Sequence, residues 1–163
     1  MGAPEIANAW LRAGVIGLGD SRVENIKTMR GAQMGASMTL IRTPMLSQLD
    51  QVVELTNVSF NTEIKVIRKL SETAKRLNRI HAIILMVELG DLREGIMPPL
   101  IEKTVRAVLR LPNIIFMGIG TNLACRSGVA PDRHNMAELS ALADSIDATF
   151  GPIVNTVSGG NSA

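Results

Sequence analysis

The chain has 163 residues, enough for one domain with a sizeable core. Seventeen Lys and Arg against fifteen Asp and Glu leave a net charge of +2, too little to steer nucleic acid, and the absence of Tyr leaves few base-stacking platforms. A single cysteine, Cys125, excludes an internal disulfide and fits a reducing, cytoplasmic setting. The longest apolar run, Ala82 to Val87, is too short to span a bilayer, and no secretion signal is expected.

Pro4 suits the first turn of an opening helix that Gly14 can end. The apolar run Val15–Leu18 predicts a strand, and the polar segment Gly19 to Asn25 follows it, with Asp20 or Ser21 placed to cap the next helix. Met38–Ile41 predicts a second strand leading to Arg42-Thr43, and Val58–Phe60 a third leading to Asn61-Thr62. Ile64, Ile67, Leu70, Ala74 and Leu77 then recur at helical spacing. The basic residues between them (Lys65, Arg68, Lys69, Lys75, Arg76 and, just beyond, Arg79) read as a solvated face and not as a nucleic-acid patch.

Ala82–Leu89 is the best strand candidate and runs into Gly90-Asp91-Leu92-Arg93-Glu94-Gly95. Pro98 and Pro99 start a helix carrying Leu100, Ile101, Val105 and Val108. Ile114–Ile119 predicts a fifth strand ending in Gly120-Thr121-Asn122, Met136 to Phe150 a helix, and Ile153–Val157 a sixth strand before Ser158-Gly159-Gly160-Asn161-Ser162.

Alternating β and α segments predict a parallel sheet covered by helices. A doubly wound sheet would gather polar groups near one switch point, whereas a barrel gathers them at every strand end. Here every strand candidate is followed by polar or glycine-rich residues. The expectation is an α/β fold, a partial (β/α)8 TIM barrel of about six βα units, forming one domain over residues 1–163.

Several of these residues carry chemistry. Arg93, delivered after a glycine turn, offers a planar fork to a carboxylate or phenolate oxygen, or pairs with Asp91 or Glu94. Glu88 suits a wall of the barrel mouth or a partner for Arg42. The small residues Ser158 to Ser162 suit a phosphate grip or a plain turn. His81 and His134 are too far apart to suggest metal spacing, and no metal site is expected.

Four collinear segments carry a resemblance: Gly19–Asn25, Glu88–Ile96, Gly118–Cys125 and Ser158–Ser162. Together they resemble the N-terminal barrel of the pyridoxal phosphate (PLP)-dependent alanine racemase family, and they are most similar to its ornithine racemase branch. The resemblance implies a fold-type III enzyme that racemises a free amino acid through a PLP aldimine, with no nucleic-acid or membrane partner and a homodimeric full-length form. It implies that Arg93 contacts the cofactor phenolate or substrate carboxylate. It also implies that Ser158, Gly159, Gly160 and Ser162 hold the phosphate and that Asn122 and Asn161 line the ring. Asp20, Arg22, Arg42, Glu88 and Thr121 would line the site.

The same resemblance places the Schiff-base lysine at the end of a first barrel strand. This sequence opens in the following helix, so the first and eighth strands and that lysine are expected to be missing, and no catalytic residue is assigned. The five lysines, Lys27, Lys65, Lys69, Lys75 and Lys103, all fall on predicted helices. Racemisation by this chain alone is therefore not expected. A PLP carrier of the related single-domain barrel type is the alternative.

Overall fold

The computed structural model describes residues 3–32, 34–124 and 128–160. Six strands, β1 (Gly17–Asp20), β2 (Ser37–Leu40), β3 (Val58–Asn61), β4 (His81–Met86), β5 (Ile114–Gly120) and β6 (Thr156–Ser158), form one sheet in chain order. Every neighbouring pair is parallel. The helices are α1 (Pro4–Arg12), α2 (Val23–Gly31), α3 (Leu49–Leu55), α4 (Ile64–Arg76), α5 (Ile101–Val108) and α6 (Arg133–Phe150). The sheet curls into a half-barrel, matching a partial TIM barrel. Among the described residues no helix is long and apolar enough to cross a membrane.

The two faces of the sheet bury different clusters. On the outer face Leu18, Met38, Leu40, Ile83, Leu85 and Ile119 pack against helix residues such as Ile26, Val52, Ile67, Leu70, Val105 and Ile146. Inside the curl a small cluster of strand residues, Val58, Ile84 and Met86 with Phe60 and Met117, forms the floor beneath the mouth. This division follows the period-two alternation of strand side chains. The α4 apolar positions Val66, Ile67, Leu70 and Ala74 are buried while its basic residues are exposed, as the helical spacing predicts.

Several elements differ from the expectations; the second strand is shifted by one residue, and Pro98–Leu100 forms a 3-10 turn ahead of α5. The first strand begins at Gly17, leaving Val15 and Ile16 exposed before it, because pairing with Ser37 starts only there. The fourth strand stops at Met86, and Val87 instead bridges to Ile96 across the base of the following loop. The sixth starts at Thr156, since Ile153 and Val154 give their N–H groups to the Asp147 carboxylate. A 3-10 turn at Leu46–Gln48 running into α3 had no expectation, because its apolar positions Leu49, Val52 and Val53 cover only two turns.

A register shift between Ile83 and Ile84 leaves Met117 without an opposite residue, a β-bulge in β5. The next residue, Gly118, has φ +152° and lies where any Cβ would strike the Thr156 carbonyl. Only glycine lets β5 and β6 run this close, and their C-terminal ends meet above the floor as a result.

Candidate functional site

All six strand ends open on one mouth, and a cavity of about 760 Å3 lies in it. That volume falls within the usual range for small-molecule sites, about 300–1,000 Å3. Ile41, Phe60 and Met86 supply apolar wall, while Ser21, Arg42, Thr43, Arg93, Glu94, Thr121, Asn122, Ser158 and the 159–160 glycines supply polar lining.

The wall formed by β5 and β6 is held together by its own backbone. Thr121 N–H donates to the Ser158 carbonyl at 2.8 Å and Leu123 N–H to the Gly160 carbonyl at 3.0 Å. The Thr121 hydroxyl donates to the Val87 carbonyl at 2.9 Å, tying the same wall to the end of β4. The N–H groups of Asn122, Gly159 and Gly160 have no hydrogen-bond partner among the described residues. Gly159 is wedged against α6: a Cβ there would sit 2.9 Å from Met136 Sδ and 3.2 Å from Leu139 Cδ2. Gly160 has φ +103°, a conformation that side-chain-bearing residues rarely adopt. Close-approaching glycines with available N–H groups form an anion cradle.

Next to this wall, the loop after β4 carries Arg93, which lines the same cavity. The loop is pinched at its base by the bridge between Val87 and Ile96. Gly95 lies so close that a Cβ would be 2.7 Å from the Glu88 Cα. Glu88 Oε1 accepts the N–H of Gly90 at 2.7 Å and of Leu92 at 3.0 Å, so this carboxylate shapes the loop and is not on the cavity lining. Arg93 Nη2 meets Glu94 Oε1 at 2.9 Å, and its Nε lies 3.9 Å from the buried Asp91 carboxylate. Arg93 is therefore ion-paired, as one of its two alternatives expected, and it also lines the cavity.

The structure thus brings Arg42, Arg93, Thr121, Asn122, Ser158, Gly159 and Gly160 to one cavity. Two other residues expected at the mouth sit elsewhere. Asp20 is buried beneath it, where Oδ1 accepts the Arg22 N–H at 2.8 Å and Asn25 Nδ2 at 3.0 Å, fastening the start of α2. Arg22 lines a smaller recess of about 150 Å3 that shares Ser21 and Arg42 with the main cavity. Asn161 and Ser162 lie outside the described residues. The lining residues that sequence reasoning did not place at the site are Ser21, Ile41, Thr43, Phe60, Met86, Glu94, Leu123 and Ala124; strand parity would have found Phe60 and Met86, because they point to the face opposite Asn61 and Leu85.

A PLP-type ligand can be tested against this lining. The unpartnered N–H groups and the glycine wedge suit its phosphate, and Arg93 suits an oxyanion on its ring. Phe60 and Met86 offer apolar contact. No lysine is among the lining residues. The fit holds for phosphate and ring and fails for a covalent anchor.

Known proteins resemble this chain in sequence and in fold. An ornithine racemase of Acetoanaerobium sticklandii is 37% identical over 145 residues, covering 88% of this chain and 40% of that protein. A lysine racemase of Thermotoga maritima is 32% identical over 161 residues, covering 99% of this chain and 45% of that protein. The chain thus spans less than half the length of these relatives. PipY of Synechococcus elongatus PCC7942, solved with PLP bound, superposes with a TM-score of 0.78 at 13% identity, covering 98% of this chain and 85% of PipY. The alanine racemase N-terminal domain family matches residues 1–163. The whole sequence is accounted for by that match, and the chain belongs to the alanine racemase N-terminal domain family.

Proposed function

We propose that this chain is the cofactor-gripping barrel portion of a PLP-dependent racemase acting on a free basic amino acid such as ornithine or lysine. The observation that carries the proposal is the wall of Thr121–Ala124 hydrogen-bonded to Ser158–Gly160, with Arg93 lining the same cavity. The substrate class rests on the ornithine and lysine racemases among its relatives.

Bound PLP supplies an electron-accepting ring that stabilises the charge left when an α-proton departs. The residues of this chain do the positioning. The N–H groups of Asn122, Gly159 and Gly160 hold the phosphate, with the Ser158 hydroxyl beside them. Arg93, kept in place by Glu94 and Asp91, holds the ring phenolate or the substrate carboxylate. The Asn122 side chain lines the ring edge, and Phe60 and Met86 exclude water from beneath it. No side chain of the cavity provides a covalent anchor, so the 163 residues by themselves bind without turning over substrate.

The test is a titration of the isotopically labelled chain with PLP, followed at its amide signals. PLP should shift Asn122, Gly159 and Gly160, and inorganic phosphate should compete. Gly159→Val, which presses on Met136 and Leu139, should weaken binding tenfold or more with the circular dichroism unchanged. L-Ornithine or L-lysine added to the loaded chain should then move Arg93 and Thr121 more than L-alanine does. Absence of PLP binding would refute the reading. A second reading, a PLP carrier without racemase activity, is favoured by the 85% of PipY that the chain covers. PLP binding with no response to any amino acid would select it.

A further inference from the structure

Several carboxylates follow the strand ends, and most are taken up by the protein itself. Asp20 fastens α2: its Oδ1 accepts the Arg22 N–H, and both of its oxygens accept Asn25 Nδ2. Glu24, on the smaller recess, accepts Gln48 Nε2 through Oε1 at 2.9 Å, and its Oε2 lies 3.8 Å from Arg22 Nε. Glu88 holds the N–H groups of Gly90 and Leu92 and is off the cavity lining. Asp91 is buried beside Arg93.

Glu94 differs from all of these. Among the described residues it is the single carboxylate on the lining of the main cavity. Arg93 Nη2 donates to its Oε1 at 2.9 Å, and its Oε2 has no partner among the described residues. Arg93 is also flanked by Asp91, so its charge is shared between two carboxylates. The Glu94 side chain is 33% exposed, open to a ligand yet partly withdrawn from water. The other charged groups on the lining are the guanidiniums of Arg42 and Arg93, which repel a cation. A cationic ligand group in this cavity is therefore favoured at one place, the open oxygen of Glu94.

We propose that Glu94 sets the side-chain preference of the site, its Oε2 accepting a charge-assisted hydrogen bond from the terminal ammonium of a basic amino acid. The inference rests on the function proposed above and deepens it, because there the basic substrate class came from relatives alone. An aliphatic side chain of the same length offers Oε2 no donor and forfeits that bond. Glu94→Gln separates this role from a structural one. Glutamine has the same shape and keeps an oxygen for Arg93, so only the charge is removed. Glu94→Asp keeps the charge on a shorter stem.

The experiment is calorimetric titration of the 163-residue chain with two stable conjugates. In each, the 4′ carbon of the 5′-phosphopyridoxyl ring is joined by a single bond to an α-nitrogen, that of L-ornithine in one and of L-norleucine in the other. Norleucine carries a methyl where ornithine carries its ammonium. The ornithine conjugate should bind about tenfold more tightly, as a hydrogen bond to a charged group allows. In Glu94→Gln the ratio should fall to within about twofold, and in Glu94→Asp it should lie between the two. The ratio of affinities cancels any general loss of binding, which a merely structural role would cause. Equal affinities in the unaltered chain, an unchanged ratio in Glu94→Gln, or a Glu94→Asp ratio no higher than that of Glu94→Gln would each overturn the inference while leaving the PLP site standing. Failure of both conjugates to bind would instead remove the PLP reading itself, and this inference with it.

Discussion

His81 shows how much a single buried polar group can determine. It starts β4 with no solvent exposure, and its Nε2 lies 2.8 Å from the Ser59 hydroxyl. Asn61 Nδ2 donates to the same hydroxyl at 2.9 Å, which leaves the hydroxyl hydrogen able to point at an unprotonated Nε2. Nδ1 and Asn61 Oδ1 have no hydrogen-bond partner among the described residues, which makes charging the ring costlier still. Burial pushes the His81 pKa down to about 4 from 6.5. Between those values the unfolded chain takes up a proton that the folded chain refuses, so stability falls as pH drops below 6.5 and the loss is complete near 4. The cost is on the order of 3 kcal/mol. Urea midpoints measured from pH 7.5 to 4.5 should show this slope, and His81→Gln should flatten it; an unchanged slope would contradict the assignment. Nothing in the sequence announced this role, since a histidine before an apolar run looks the same exposed or buried.

At the scale of elements, the mouth depends on two short connections that set strand ends. Asp147, on the last turn of α6, accepts the N–H groups of Ile153 and Val154, both at 2.9 Å, and so fixes where β6 begins. Asp147→Ala should cost about 1–3 kcal/mol, as loss of hydrogen bonds to a charged acceptor does. It should also weaken phosphate binding by loosening β6, whereas Asp147→Asn, which keeps one oxygen, should lose less; thermal melts and a phosphate titration distinguish the two. On the other side of the sheet Arg30 donates to the carbonyls of Leu55, Met34 and Ala36 and to Asn57 Oδ1, gathering the ends of α2 and α3 about the start of β2. The order of the βα units was legible in the sequence because continuous apolar runs and amphipathic spacing are local signals. Strand boundaries and α3 were not, because hydrogen bonds to Asp147 and a register set across strands decide them. The site was legible in part for the same reason: Arg93 and the 158–160 segment stand out locally, while the inward turn of Asp20 and Glu88 toward backbone N–H groups depends on loop geometry.

For the whole molecule, the described sheet has two edge strands, β1 and β6, and apolar side chains stand exposed on or beside them, with Ile16 at 93% and Val157 at 48%. Unpaired edges with apolar neighbours template association. Sedimentation velocity of the 163-residue chain should show concentration-dependent self-association, and Val157→Lys should suppress it; a monomer at all concentrations would contradict this. The carbonyls of Ser158 and Gly160, at the end of the outermost strand, are the acceptors that lock Thr121 and Leu123. On the function proposed above, a phosphate seated across Asn122 and the two glycines would act as a staple over the last seam of the sheet. Ligand binding to the folded state alone adds about 2.7 kcal/mol at a hundredfold excess over Kd. On that reading the stabilisation falls on the last seam, and slowed hydrogen exchange of the β6 amides would serve as a dosimeter of the free ligand.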